Sequence, residues 1–230
     1  DHIGGIPLVM SRIGNPPLYS RNLSILMMKK RQEEFPHLPA LNCQIVEKDS
    51  VIYAGEMRIR FFGVPHTVPD SMGIVIETPY GSIVNPGDYK LDHVDGIPTD
   101  SEEKEYKQFD TANVLLLMTD STNIENEGFS LPEFKVHLGL EKMIRDNKGG
   151  RIIIAAFASH ITRLIKIIQI AEEFNKKIVV EGRSMKNNVD IMIQAGLVTP
   201  KKGTIIPVEE MESYPHDKII VLMTGAQGEE

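Results

Sequence analysis

Residues 63–92 read GVPHTVPDSMGIVIETPYGSIVNPGDYKLD. Two Ile- and Val-rich runs, Gly73 to Thr78 and Ser82 to Val84, are joined through Pro79-Tyr80-Gly81, a tight-turn composition. That pattern predicts an antiparallel hairpin. His66 precedes the first run, and Asp88 follows the second within Asn85-Pro86-Gly87-Asp88, where Gly87 lets the backbone turn and aim the carboxylate. Histidine and carboxylate at strand ends are what a catalytic divalent ion needs around an open water position. Taken singly, a loop histidine is an ordinary polar residue and an Asp after Pro-Gly is a turn former.

Working outward, short apolar runs continue through the first 120 residues, at residues 43–46, 57–62 and 114–118. Residues 20–34 read as a helix whose basic end, Lys29-Lys30-Arg31, suits a helix C-terminus. From about residue 129 the rhythm changes. Helix is predicted at 131–147, 161–175 and 186–195, alternating with continuous apolar strands at 151–156, 177–180 and 218–223. Such alternation is the signature of a parallel sheet covered on both faces, a doubly wound α/β unit. The chain therefore divides into a strand-rich domain over residues 1–128 and an α/β domain over residues 129–230.

The chain has 230 residues, 41% of them hydrophobic, enough to bury a core. No run approaches the ~20 apolar residues that span a bilayer, so no membrane partner is expected and a cytoplasmic location is the default. The single cysteine, Cys43, excludes an internal disulfide and a zinc knuckle. The net charge of −7 disfavours a polyanionic partner unless positive charge is gathered locally or brought by metal ions.

Further strings carry chemistry. Asp1-His2-Ile3-Gly4-Gly5 opens the chain with two metal-ligand types and a turn. Asp120 ends the run LLLMTD and is followed by Ser121-Thr122-Asn123; capping the next turn is one use for it. Ala158-Ser159-His160 opens a helix after a buried strand, where free N–H groups favour phosphate and Arg163 one turn on reinforces them; a plain polar N-cap is the alternative. Gly182-Arg183-Ser184-Met185 and the loop 224–229, which includes Gln227, follow strands, and α/β folds place ligands at such loops.

In order along the chain, DHIGG, GVPHTVPDSMGIVIETPYGSIVNPGDYKLD, LLMTDSTN, RIIIAAFASHITR, VEGRSM and VLMTGAQGEE resemble ribonuclease J. The resemblance covers nearly all of the chain and implies an α/β protein: a partial metallo-β-lactamase αββα-type domain followed by a partial doubly wound β-CASP domain. The metal motif of that family, His-x-His-x-Asp-His, then a distant His, Asp and final His, implies that Asp1 and His2 close the first motif. It makes His66 the next ligand and Asp88 the carboxylate bridging two zinc ions. The remaining ligands would lie outside residues 1–230, so the chain reads as an internal fragment. The resemblance assigns catalytic roles to Asp1, Asp88 and Asp120 and RNA contacts to Ser121, Ser159, His160, Arg163 and Arg183. Two departures stand out: the family usually has Asn at His160, and commonly Thr-Gly-Asp where this chain has Pro86-Gly87-Asp88. His93 is expected in a supporting or surface position, and His37, His137 and His216 facing solvent.

The expectation is a zinc-dependent ribonuclease cutting RNA phosphodiesters, from a 5′ end and internally, as a homodimer or homotetramer in its full-length form. A hydrolase of DNA or of a small thioester, and a metal-free RNA-binding scaffold, are the alternatives.

Overall fold

The computed structural model describes residues 2–110 and 112–225. A short helix α1 (Ile6–Arg12) starts directly after Gly4-Gly5 and carries Pro7 in its first turn, where a missing N–H costs nothing. Strand β1 (Leu18–Ser20) precedes helix α2 (Asn22–Gln32) and pairs in parallel with β2 (Cys43–Ile45). The basic residues Lys29, Lys30 and Arg31 occupy the last turn of α2, as the helix dipole favours.

A five-stranded sheet follows, built from β3 (Val51–Ala54), β4 (Met57–Gly63), β5 (Met72–Thr78) and β6 (Gly81–Gly87), with the small hairpin β7 (His93–Val94) and β8 (Ile97–Pro98) beyond it. Helix α3 (Asp100–Tyr106) then leads to β9 (Val114–Thr119), and the sheet order is β3-β4-β5-β6-β9. The expected hairpin is present: β5 and β6 pair antiparallel from Ile74↔Asn85 to Thr78↔Gly81. The hydroxyl of Thr78 closes its turn by donating to the Gly81 carbonyl at 2.7 Å and accepting from the Tyr80 amide at 3.2 Å. Pro86 has no N–H for a ladder, and the parallel pairing of β6 with β9 shifts register between Val84 and Gly87. Gly87 ends β6 with φ +69°. Phe62, Val75 and Val84 pack with Tyr106 and Phe109 on one face of this sheet. The opposite face carries the cross-strand row Ile52, Ile59, Ile76, Ile83 and Leu116.

Helix α4 (Glu133–Asp146) opens the second half, followed by β10 (Ile152–Ala156), α5 (Ile161–Glu173), β11 (Lys177–Glu181), α6 (Arg183–Gln194), β12 (Ile205–Ile206) and β13 (Ile219–Thr224). The sheet β10-β13-β11-β12 is parallel throughout. Ile178, Val180, Ile220 and Leu222 point into one large core with Leu140 and Ile144 of α4, Leu164 and Ile168 of α5, and Met185 and Met192 of α6. The three helices thus share one face. Among the described residues the other face is covered by 3₁₀ turns, with Met211 and Tyr214 against Val179, Ile206 and Ile219, while Ile153 stays 67% exposed. Helical cover on both faces was expected; the connection from α6 to β13 is instead too rich in Pro, Gly and isolated turns to form a helix.

The two sheets are joined through a common interior. Leu23 and Met27 of α2 and Val68 of the β4–β5 connection belong to the same buried cluster as α5 and α6. Asp70 fixes this arrangement by accepting from the Leu23 amide at 3.2 Å, at the first turn of α2.

Candidate active site

A cavity of about 1020 Å³ opens where the carboxyl end of β6, the β4–β5 connection and the first turns of α4, α5 and α6 meet. His66 leaves the end of β4 on a loop closed by the Val64 amide donating to Ser71 (3.1 Å) and by the Ser71 hydroxyl donating to Val68 (2.9 Å). Because the strands are antiparallel, the start of β5 and the end of β6 lie together, so His66 and Asp88 reach one wall. The Lys90 amide donates to the Pro65 carbonyl at 2.8 Å and ties the two loops.

His2 Nε2 lies 2.8 Å from Asp88 Oδ2, and His66 and Asp120 line the same cavity. Burial pushes the His66 imidazole below its usual range, partly opposed by the charge of Asp88 and more weakly by that of Asp120. The Asp120 carboxylate accepts from both the hydroxyl (2.7 Å) and the amide (2.8 Å) of Thr122, which holds its pKa down and keeps it ionised. It therefore caps its own turn while facing the cavity, so the two uses of Asp120 are compatible. Asp1 lies outside the described residues, as do residues 226–230 with Gln227.

Imidazole and carboxylate are donors that suit zinc. The contact between His2 and Asp88, with His66 on the same wall, is a partial fit: among the described residues no group of three or more His, Cys, Asp or Glu side chains is gathered closely enough to hold an ion.

The facing wall comes from the second half of the chain. Ser159, His160 and Thr162 at the start of α5, and Ser184, Asn187 and Asn188 in the first turns of α6, line the cavity. Asn188 Nδ2 donates to the Ala158 carbonyl at 2.8 Å and locks the two helix starts together. Burial, with Arg163 next, pulls His160 down to about 4, so this imidazole is neutral at neutral pH. Ser121, Arg163 and Arg183 do not line the cavity. Arg163 stands one bond behind its wall, giving Nε (2.8 Å) and a terminal nitrogen (2.9 Å) to the two oxygens of Glu133.

Glu133, His137 and Lys90 line this region without having been expected to. Glu133 and His137 are spaced i,i+4 on α4 with Nε2 and Oε1 3.4 Å apart, a pattern that helical periodicity alone could have drawn attention to. His137 had been expected to face solvent. His93 is buried: its Nδ1 accepts from the Gly96 amide (3.0 Å) and its Nε2 donates to the Ser130 carbonyl (2.8 Å), pinning the β7–β8 hairpin to the segment before α4.

Residues 149–230 match the family described as "Ribonuclease J, beta-CASP domain". Over its whole length the chain is 36% identical to ribonuclease J of Mycoplasma genitalium and 33% identical to ribonuclease J of Thermus thermophilus, covering 40% and 41% of those proteins. The chain belongs to the ribonuclease J family. Ribonuclease J of Helicobacter pylori is a further relative, 34% identical over all of the chain and 33% of its own length. The chain thus spans between a third and two fifths of these ribonuclease J proteins. A crystal structure of a protein of unknown function from Enterococcus faecalis V583 is similar in fold, with a TM-score of 0.67 at 16% identity, covering 92% of this chain and 54% of that one.

Proposed function

We propose that this chain is the cleft-forming part of a zinc-dependent ribonuclease that hydrolyses RNA phosphodiester bonds, in which residues 1–128 belong to a metallo-β-lactamase domain and residues 129–230 to a β-CASP domain. The observation that carries the proposal is the pairing of the two walls. One presents His2 in contact with Asp88, beside His66 and Asp120, and the other presents the polar first turns of α5 and α6. Asp1, His2, His66 and Asp88 would hold the zinc ions with donors outside these residues. Bound zinc would lower the pKa of a water and stabilise developing charge on phosphate oxygens.

The chain's own groups account for the rest. Asp120, kept anionic by Thr122, is placed to hold or orient a proton donor in the cavity. A helix start carries the positive end of a dipole, and two of them face the cavity, so a phosphate near Ser159 and Ser184 would meet both. Neutral His160 adds a hydrogen bond without a permanent charge. Ser121 and Arg183 would contact RNA outside the cavity. The family reading extends to a cytoplasmic homodimer or homotetramer.

Turnover of 5′-monophosphorylated RNA, matched DNA and a generic thioester by the full-length protein separates the alternatives. RNA cleavage that follows zinc content is expected. Cleavage of the thioester alone would overturn the reading, and RNA binding without bound zinc or cleavage would leave a scaffold.

A further inference from the structure

Five side chains from three segments converge behind and along the second wall of the cavity. Glu133, the first residue of α4, receives the bidentate Arg163 guanidinium (2.8 and 2.9 Å), and Lys90 Nζ (3.4 Å), His137 Nε2 (3.4 Å) and His160 Nε2 (3.7 Å) lie around the same carboxylate. Burial alone would raise the Glu133 carboxyl, yet Arg163, His160 and Lys90 outweigh it and bring it to about 2. Lys90, His137, His160 and Glu133 line the cavity, and Arg163 does not. Lys90 also anchors the opposite wall, since its amide is bound to Pro65, the residue before His66, and it lies two residues after Asp88.

We propose that Glu133, clamped by Arg163, is a positioning residue that fixes Lys90 on the cavity wall and so sets the register between the Asp88 and His66 loops and the start of α5. A guanidinium with Nε and one terminal nitrogen both engaged by one carboxylate is held rigidly. Arg163, held by Glu133 and outside the cavity lining, therefore acts through Glu133 and makes no contact with the RNA phosphates, whereas Lys90, in the wall, does. This inference rests on the RNA reading above and adds to it which cation meets the backbone and which one only supports it.

The test measures binding of a 2′-O-methylated single-stranded RNA by the full-length protein across a salt series. A side chain that neutralises a phosphate contributes roughly 0.7 to the slope of log affinity against log salt on a single strand. Lys90→Gln is expected to lower the slope by about that amount. Arg163→Gln is expected to weaken binding by about tenfold at one salt concentration with the slope unchanged. Arg163→Lys, which keeps the charge but loses the fork, should behave like Arg163→Gln. Arg163→Gln combined with Glu133→Gln should lose no more than the worse single variant.

A slope lowered by Arg163→Gln as much as by Lys90→Gln would overturn the inference, as would additive losses or full rescue by Arg163→Lys. Wild-type protein that shows no salt-dependent binding would remove the RNA reading itself. Binding by the wild type with direct-contact behaviour at Arg163 would remove only the positioning role.

Discussion

Glu102 shows how a single residue couples fold to pH. It is 7% exposed, its Oε2 is buried without a hydrogen-bond partner, and burial, with Asp92 and Glu105 nearby, raises its carboxyl to about 7. The folded chain therefore holds this proton more tightly than the unfolded chain, whose Glu titrates near 4.5. Stability is fully present below the unfolded value and falls as pH rises through the folded one. Unfolding free energies from urea titrations taken from pH 4.5 to 8 should decline by up to about 3 kcal/mol from this group, and Glu102→Gln should flatten that decline; an unchanged slope in the variant would reject the assignment. Residue types with strong chemical character, His66, Asp88 and Asp120, were legible as candidates from their positions after predicted strands. Glu133 and Lys90 were not, because their roles arise from convergence of segments far apart in sequence, which no local pattern encodes.

Among the elements, the hairpin of β5 and β6 positions most of the first wall, and its packing has little slack. A Cβ at Gly73 would fall 2.3 Å from the Phe62 ring, which packs edge-on against Phe109 at a centroid distance of 5.0 Å. Gly73→Ala should cost about 1–3 kcal/mol, read as a thermal midpoint lowered by roughly 2–4 °C per kcal/mol in a chain of this size; a variant as stable as wild type would show that Phe62 can move aside. Periodicity revealed the hairpin, α4 to α6 and the parallel strands, because each carries a full apolar face or run. Strands β1, β3, β7, β8 and β12 went unread, being two to four residues long and too short to establish a period. Helical cover on both faces of the second sheet was inferred from apolar strands alone, and those strands do not distinguish a helix from a 3₁₀ turn as their cover.

Across the molecule, one core is well closed and one sheet face is not. The large cluster binds α2, α4, α5 and α6 to the parallel sheet, whereas the row Ile52, Ile59, Ile76, Ile83 and Leu116 lies on a partly exposed face, with Leu116 at 48% exposure. Contiguous apolar surface of this kind binds dyes and drives association. The 230-residue chain alone should enhance anilinonaphthalene sulfonate fluorescence, and Leu116→Lys should reduce the signal while changing stability by less than about 0.5 kcal/mol; an unaltered signal would place the dye elsewhere. The cavity is lined from both halves: His66, Asp88 and Asp120 come from the first, and the starts of α5 and α6 from the second. If these walls serve metal-dependent RNA cleavage, as proposed, the deciding measurement is cleavage of 5′-monophosphorylated RNA by Asp88→Ala in the full-length protein. Since losing even a supporting partner of a metal ligand costs 10- to 100-fold, loss of the donor itself should lower the rate by at least about 100-fold with the fold intact; undiminished cleavage by a folded Asp88→Ala variant would contradict it.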